Sequence, residues 1–171
     1  MSALHAVTVA ASSPVRNRLS VLVTREPDHR PGRPPARLMF ALRADNASVA
    51  RMAREEVGAW LDRHRWPPEE SHDIVYAVSE AVSNVCEHAY HRQEAGTVQV
   101  AARVEHPTPE TRRVRVAVTD EGRWQHRASR PITRGRGLRV IRALMAGVRL
   151  RRGTDSEPGT SLLLTSPPVP S

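Results

Sequence analysis

A long amphipathic segment that follows two prolines constrains the fold most. Trp66, Pro67 and Pro68 interrupt the chain, and proline is favoured in the first turn of a helix, so we predict a helix from about Glu69 to His91. At 100° per residue its apolar side chains share one broad face; they are Ile74, Val78, Ala81, Val82, Val85 and Ala89. One face of this helix is therefore suited to a core, and the opposite face to solvent or a ligand.

The flanking patterns predict a sheet and two further helices. An apolar period of 3.6 residues after Ser48 predicts a helix, and β-branched or alternating runs predict strands. The remaining predicted elements are strand Arg37–Arg43, a hairpin of Thr97–Val104 and Arg113–Thr119 turning at His106–Pro109, helix Leu138–Met145, and strands Val148–Arg152 and Ser161–Thr165. This order predicts an α+β two-layer sandwich with helices on one face of a mostly antiparallel sheet.

A length of 171 residues suits one domain with tails. Residues 1–36 are rich in Pro, Ser and Arg without a sustained period, which predicts a disordered N-terminal tail, although a short strand at Leu19–Val23 is conceivable. The folded domain is then residues 37–165. Residues 166–171 contain three prolines and are predicted to be a frayed C-terminus.

The basic residues of this chain are all arginine. The 26 basic residues include no lysine, which excludes a lysine-containing phosphate-binding loop, a Schiff base and the usual protein-kinase lysine. One cysteine, Cys86, excludes a disulfide framework and a cysteine-based zinc cluster. No run reaches the 18 apolar residues of a membrane span, and no signal pattern opens the sequence, so we expect a cytoplasmic protein without a membrane partner.

The net charge of +8 raises the possibility of a nucleic-acid partner. The arginines are spread along the chain, and aromatic residues are only 4% of the sequence, too few for a base-stacking surface. We therefore keep a basic nucleic-acid-binding protein only as a minor alternative.

The polar face of the long helix admits two interpretations. Glu80, Asn84 and His88 stand four residues apart and line up one above another, as on many solvated amphipathic helices. Asparagine is a poor residue inside a helix, however, and the stripe lacks the Glu-to-Arg pairs of a purely solvated face. A carboxylate and an amide oxygen one turn apart suit Mg²⁺, and Glu80 could instead accept a proton from a hydroxyl.

Three glycine-containing segments follow downstream. Asp120-Glu121-Gly122 ends a predicted strand, Gly135-Arg136-Gly137-Leu138 precedes a helix, and Gly159-Thr160 precedes the last strand. Each is consistent with an ordinary turn. Each is also consistent with a ligand site, because glycine allows close backbone approach and a helix N-terminus attracts phosphate.

In this order, the four segments closely resemble the N, G1, G2 and G3 boxes of the GHKL ATPases. The first box, Glu80-Ala81 followed by Asn84 and His88-Ala89-Tyr90, is similar to that of the anti-sigma-factor serine/threonine-protein kinases. The resemblance covers residues 37–165. It implies a Bergerat-type ATP-binding kinase-like domain whose cofactors are ATP and Mg²⁺.

The resemblance also implies a role for each matching residue. Asn84 would hold Mg²⁺, and Glu80 would be the general base. Asp120, Gly122 and Thr160 would form the adenine side. Gly135 and Gly137 would lie in a lid over the phosphates, in the box that also contains Arg136 and Leu138. The role of His88 is left open.

The implied function is an ATP-binding anti-sigma regulatory factor with serine/threonine-protein kinase activity. Its implied partners are a sigma factor and a small anti-sigma antagonist that it phosphorylates, with a homodimer possible. The alternative is an ATP-binding regulatory module without kinase activity, because Trp124 replaces a glycine of the G1 box and the lid is short and arginine-rich. The sequence offers Trp124 two roles, covering the nucleotide or docking a partner, and does not choose between them.

Overall fold

The computed structural model describes residues 22–24, 36–44, 48–88, 96–122, 136–154 and 159–171, and the structural statements below concern these residues. The elements in chain order are β1 (Leu22–Thr24), β2 (Arg37–Arg43), α1 (Ser48–Arg63), α2 (Pro68–His88), β3 (Thr97–Thr108), β4 (Thr111–Asp120), α3 (Arg136–Leu144), β5 (Gly147–Arg152), β6 (Thr160–Thr165) and β7 (Val169–Pro170). The predicted sequence of strands and helices is present, with two short strands added at its ends.

The strands form one sheet in the order β1-β2-β3-β4-β6-β5, and the short β7 pairs with β4. Every neighbouring pair is antiparallel. Strand β4 therefore lies inside the sheet, between β3 and β6. This position matters because the residues at its end have protein on both sides.

The core lies between the helices and one face of the sheet. Burial alternates along β4, where Val114, Val116 and Val118 are buried and the residues between them are partly exposed. These valines join one buried cluster with the apolar faces of α1 and α2. The alternation arises because successive strand residues point to opposite faces. The predicted two-layer α+β fold, with helices on one face of an antiparallel sheet, is confirmed.

The hairpin between β3 and β4 is longer than the sequence indicated. Strand β3 continues to Thr108, and the turn falls at Pro109 and Glu110. The register shifts between Glu105 and Thr108, which is a bulge-like irregularity. Such an irregularity lets a strand continue past a proline that cannot donate to the ladder, which is why Pro107 does not end the strand.

Both terminal regions contribute strands. Strand β1 pairs with β2 and lies inside the segment that the sequence assigned to a tail. The segment after residue 165 differs from the expected frayed end: Ser166 is 1% exposed, and its Oγ accepts a hydrogen bond from Val114 N at 2.9 Å. Val169 is buried, and Ser171 N donates to Glu110 O. Proline occupies the end of this short strand, where few ladder bonds are needed.

Arg112 ties the α1–α2 turn to β4 and β7. Its guanidinium donates to His64 O at 2.8 Å, to Arg65 O at 2.9 Å and to Pro170 O at 3.1 Å. It also lies 4.7 Å from the ring centroid of Trp66, which is buried. Trp60 is fully buried as well, so both tryptophans belong to the core. No helix in the described part of the chain is long and apolar enough to cross a membrane.

Candidate functional site

Asp120 and Thr160 lie opposite each other in the neighbouring strands β4 and β6. Asp120 is the last residue of β4, Thr160 is the first of β6, and the two are paired in the antiparallel register. Their side chains point to the same face as the core valines, and the residues are 6% and 7% exposed. Burial of a carboxylate beside a hydroxyl is costly unless polar partners are supplied. The strand register thus brings together two residues that the sequence assigned to the adenine side.

Backbone turns fix the surroundings of this pair. Gly122 N donates to Asp120 Oδ1 at 2.9 Å, which holds the carboxylate against the turn that follows β4. The other oxygen, Oδ2, is buried. The Thr160 hydroxyl is also buried and has no hydrogen-bond partner within the described structure. A buried hydroxyl without a partner indicates a place where a polar ligand atom or a water belongs.

Gly159 was not among the predicted site residues, yet it is part of this arrangement. Its φ of +124° is a conformation that other residues rarely adopt. A Cβ added there would lie 2.5 Å from Asp120 O. Glycine at this position therefore allows the start of β6 to lie directly against the end of β4. The Pro158-Gly159 dipeptide marked a turn in the sequence, but only the register shows what the turn approaches.

Glu80 and Gly137 form a second contact, between α2 and α3. A Cβ on Gly137 would clash with the Glu80 side chain, reaching Cδ at 2.9 Å and Cγ at 3.0 Å. The Glu80 carboxyl therefore lies against the backbone at the start of α3. The sequence placed Gly137 in the loop before the helix, but α3 begins at Arg136, so Gly137 belongs to its first turn. This places a carboxylate beside the end of a helix that attracts anions.

The structure describes some of the other predicted site residues and leaves the rest undescribed. Asn84 is half-buried, one turn after Glu80 on α2. Leu138 is partly buried and packs against the core, so its role is structural at least. Gly135, the Arg136 side chain and the His88 side chain lie outside the described residues. The same holds for Trp124 and for the lid arginines, Arg123, Arg127, Arg130 and Arg134.

Helix α2 lies next to both the Asp120–Thr160 pair and the Glu80–Gly137 contact. It packs on β4, whose last residue is Asp120, and on α3, which contains Gly137. Its buried side chains Val78, Val82 and Val85 fix its rotation on the sheet. That rotation leaves Glu80 and Asn84 half-buried on the side next to the buried row. The polar stripe is thus neither fully solvated nor part of the core.

The chemistry of this donor set suits a nucleotide with a divalent cation. A buried carboxylate and a hydroxyl can bind a heterocycle that donates and accepts hydrogen bonds. Glu80 and Asn84 offer hard oxygen ligands, and Mg²⁺ is commonly bound by one or two protein oxygens together with substrate phosphates and water. No cluster of three or more His, Cys, Asp or Glu residues that could hold a metal exists in the described residues. Two oxygen-donating side chains one helical turn apart, Glu80 and Asn84, fit a metal that is shared with a ligand.

Two comparisons with known proteins concern the family and the fold of this chain. The family described as "Histidine kinase-like ATPase domain" matches residues 42–166, which include every predicted site residue. Among solved structures, the chain is similar to the histidine kinase domain from Erythrobacter litoralis EL346 blue-light activated histidine kinase. The identity is 25%, the match covers 65% of this chain and 60% of that one, and the TM-score is 0.46. The chain thus spans less than two thirds of that relative's length.

Proposed function

The chain belongs to the family of histidine kinase-like ATPase domains, and from this membership we propose that it is an ATP- and Mg²⁺-dependent regulatory protein kinase acting on serine or threonine. The observation that carries the proposal is the pairing of buried Asp120 with buried Thr160 at one end of the sheet, beside the helix that presents Glu80. ATP supplies the phosphoryl group.

The Asp120–Thr160 pair would bind the base. Adenine carries an exocyclic amino group that donates hydrogen bonds, and a carboxylate oxygen accepts them. The Asp120 carboxylate, whose Oδ1 accepts a hydrogen bond from Gly122 N, is buried next to Thr160 and would accept from this amino group. The Thr160 hydroxyl can donate to a ring nitrogen or to a bridging water. Its lack of a partner in the described structure supports this role.

The start of α3 and the polar side of α2 would bind the phosphate end. Helix α3 spans nine residues and has no acid of its own in its first turn, although the Glu80 carboxyl of α2 lies against that turn. The positive end of the helix would attract a phosphate group. Asn84 would hold Mg²⁺, which is commonly shared with substrate phosphates and water. Arg136 belongs to the same helix start, and its guanidinium would pair with a phosphate oxygen.

Glu80 would accept the proton of the attacking hydroxyl. A general base of this kind contributes roughly 10²- to 10⁴-fold in rate. Glu80→Gln is therefore expected to lower phosphotransfer by about 100-fold or more while ATP affinity, measured by calorimetry, changes little. The matched control is Glu69→Gln, which makes the same change at an exposed position of α2. Undiminished transfer by Glu80→Gln would remove Glu80 from the mechanism.

The partners belong to the proposal as well. The form of the first box supports a sigma factor that the protein holds inactive and a small anti-sigma antagonist that it phosphorylates. Incubation with labelled ATP and candidate antagonists, followed by mass spectrometry, would identify a phosphorylated serine or threonine. Labelling of histidine alone would contradict the proposed specificity.

An ATP-binding regulatory module without kinase activity is the second candidate. Trp124 in place of a G1-box glycine favours it. In this case ATP binds in calorimetry, Asp120 and Thr160 keep their proposed roles, and no partner is labelled. Transfer that depends on Glu80 would exclude it.

A further inference from the structure

The sheet has a second face, opposite the helices, and this face is rich in arginine. Side chains on it alternate with the buried ones, and none of the described helices covers it. We call the following set the arginine face: Arg103, Arg113, Arg115, Arg149 and Arg151. Among the described strand residues that point to this side, Glu105 is the only acid.

A single carboxylate forms ion pairs with three of these arginines. Glu105 accepts from Arg103 Nη2 at 2.6 Å, from Arg113 at 3.0 Å and from Arg115 at 3.4 Å. Three positive charges against one negative charge leave a surplus within the cluster itself. Arg149 and Arg151 add to it from the edge strand β5, and both are exposed. Like charges held this close repel one another and favour an anionic partner.

A cavity of about 550 Å³ lies within this face. Arg113, Arg115 and Arg149 line it together with Thr165 and Leu163. The Nε atom of Arg115 is buried and has no hydrogen-bond partner within the described structure. The cavity is at the start of β4 and the end of β6, whereas Asp120 and Thr160 lie at the opposite ends of those strands and on the other face. It is therefore separate from the proposed nucleotide site.

An apolar row crosses the same face. The register aligns Met39, Ala101, Ala117 and Leu163 in consecutive strands, and Arg149 continues the row. Met39 is 52% exposed. Methionine and arginine are both enriched in protein–protein interfaces relative to the rest of the surface. In the described strands, no aromatic residue points to this side, so nucleic-acid bases have nothing to stack on.

Charge argues against two occupants that the protein itself could supply, a second copy of the chain and its own residues 1–36. A second copy would oppose one arginine face to another or to a chain of net charge +8. Residues 1–36 carry five arginines against two acids, so this segment is basic as well. We propose that the arginine face binds an acidic segment of a partner protein, with carboxylates seated among Arg113, Arg115 and Arg149 and apolar side chains on the row beside them. This inference goes beyond the proposed kinase function and does not require ATP.

The test measures fluorescence anisotropy of a labelled glutamate–leucine peptide of about twelve residues, the length of an extended recognition segment. The Arg149→Glu/Arg151→Glu variant is expected to weaken binding by about tenfold or more, because charge pairs at an interface are reversed. Arg51→Glu/Arg54→Glu makes the same two charge reversals at exposed positions of α1 and is the matched control. It is expected to weaken binding by about twofold at most, because its charges are remote from the face.

Three outcomes would overturn the proposal. Equal losses in the test and control variants would indicate unspecific attraction to a basic protein. Tighter binding of a single-stranded oligonucleotide of equal charge, lost in the same double variant, would indicate a nucleic acid. A dimer in light scattering that the double variant abolishes would indicate a second copy.

A second measurement does not depend on the variants folding. Titration of the unchanged, isotope-labelled protein with the peptide is expected to shift the amide signals of Arg113, Arg149 and Thr165 and to leave those near Asp120 and Thr160 in place. ATP affinity of the double variant is expected to be unchanged. If the kinase proposal is wrong, peptide binding and its loss in the double variant are still expected. The two proposals can therefore be contradicted independently.

Discussion

Asp120 and Thr160 oppose each other in adjacent strands, and the backbone of Gly159 approaches Asp120 so closely that a side chain there would meet its carbonyl. The close approach of the two strand ends is therefore set by main-chain geometry. Both strands lie inside the sheet, and the core strands of a protein are among the last parts to open. A site built on them is already organised before a ligand arrives.

Asp120→Asn is expected to weaken ATP binding by about 10- to 100-fold, which corresponds to the loss of one hydrogen bond to a charged group. An amide has a single acceptor oxygen, and both Gly122 N–H and the ligand's amino group require one. Calorimetry at fixed Mg²⁺ measures the affinity. Asp62→Asn makes the same change at an exposed position of α1 and is expected to have no effect. Equal affinity of both variants would argue against an adenine site at Asp120.

Gly137→Ala is expected to lower phosphotransfer by about tenfold or more, because its methyl group displaces the Glu80 carboxylate. Stability is expected to change little, since a flexible side chain can move and alanine favours the helix. Gly58→Ala is the contrasting control. Its methyl group would lie 3.9 Å from Val75 Cγ2, an ordinary contact, so it is expected to stabilise the protein by up to about 1 kcal/mol. Normal transfer by Gly137→Ala would show that the Glu80–Gly137 contact has no part in the reaction.

Much of the fold could be predicted from periodicity. The strand Arg37–Arg43 has the predicted bounds, and the apolar face of α2 is the predicted one. The pairing of Asp120 with Thr160 could not be predicted from these patterns, because register is set by contacts across the sheet and not by either strand alone. The positive φ of Gly159 has the same origin. Only the close approach of two strands makes glycine necessary there.

The remaining differences also have physical causes. Pro107 was taken as part of a turn because proline cannot donate to a ladder, but a register shift beside Glu105 absorbs it. Ser166 was assigned to a frayed end, yet its hydroxyl bonds Val114 N across 52 positions of sequence. A local pattern cannot reveal a partner so distant. The start of α3 was placed two residues late because glycines disfavour helix locally. In the structure Gly137 lies in the first turn of α3, against the Glu80 side chain.

Arg112→Lys is expected to destabilise the protein by about 1–2 kcal/mol. Lysine keeps the charge but cannot reach His64 O, Arg65 O and Pro170 O together while lying over the Trp66 ring. Urea unfolding at equilibrium measures the free energy. Arg54→Lys, at an exposed position of α1, is expected to differ from the unchanged protein by less than about 0.5 kcal/mol. Equal stability of the two variants would show that the hydrogen bonds of Arg112 contribute nothing to the free energy of unfolding.

The contribution of Glu105 is expected to depend on pH. Burial raises the pKa of Glu105, but hydrogen bonds from Arg103 and Arg113 and the charge of Arg115 outweigh it and lower the pKa below the ordinary value. A carboxyl whose pKa is lower in the folded state stabilises that state above its unfolded pKa of about 4.3. This contribution is lost as the pH falls through the folded pKa.

Glu105→Gln therefore tests the ion-pair cluster. Near pH 7 we expect the variant to be less stable by up to about 1 kcal/mol, since the cluster is partly exposed. The difference is expected to remain constant down to about pH 5 and to shrink below about pH 4.3. Urea unfolding across this range measures it. A difference that grows toward low pH would contradict the direction of the pKa shift.

The strand order has a consequence for synthesis of the protein. Strand β6 reaches β4 only after α3 and β5 have been made, so the hydroxyl that faces Asp120 is among the last groups to arrive. The proposed adenine site is therefore complete only when β6 has been made and has paired with β4. A nucleotide that requires both residues would bind the finished domain and not a chain that ends before β6.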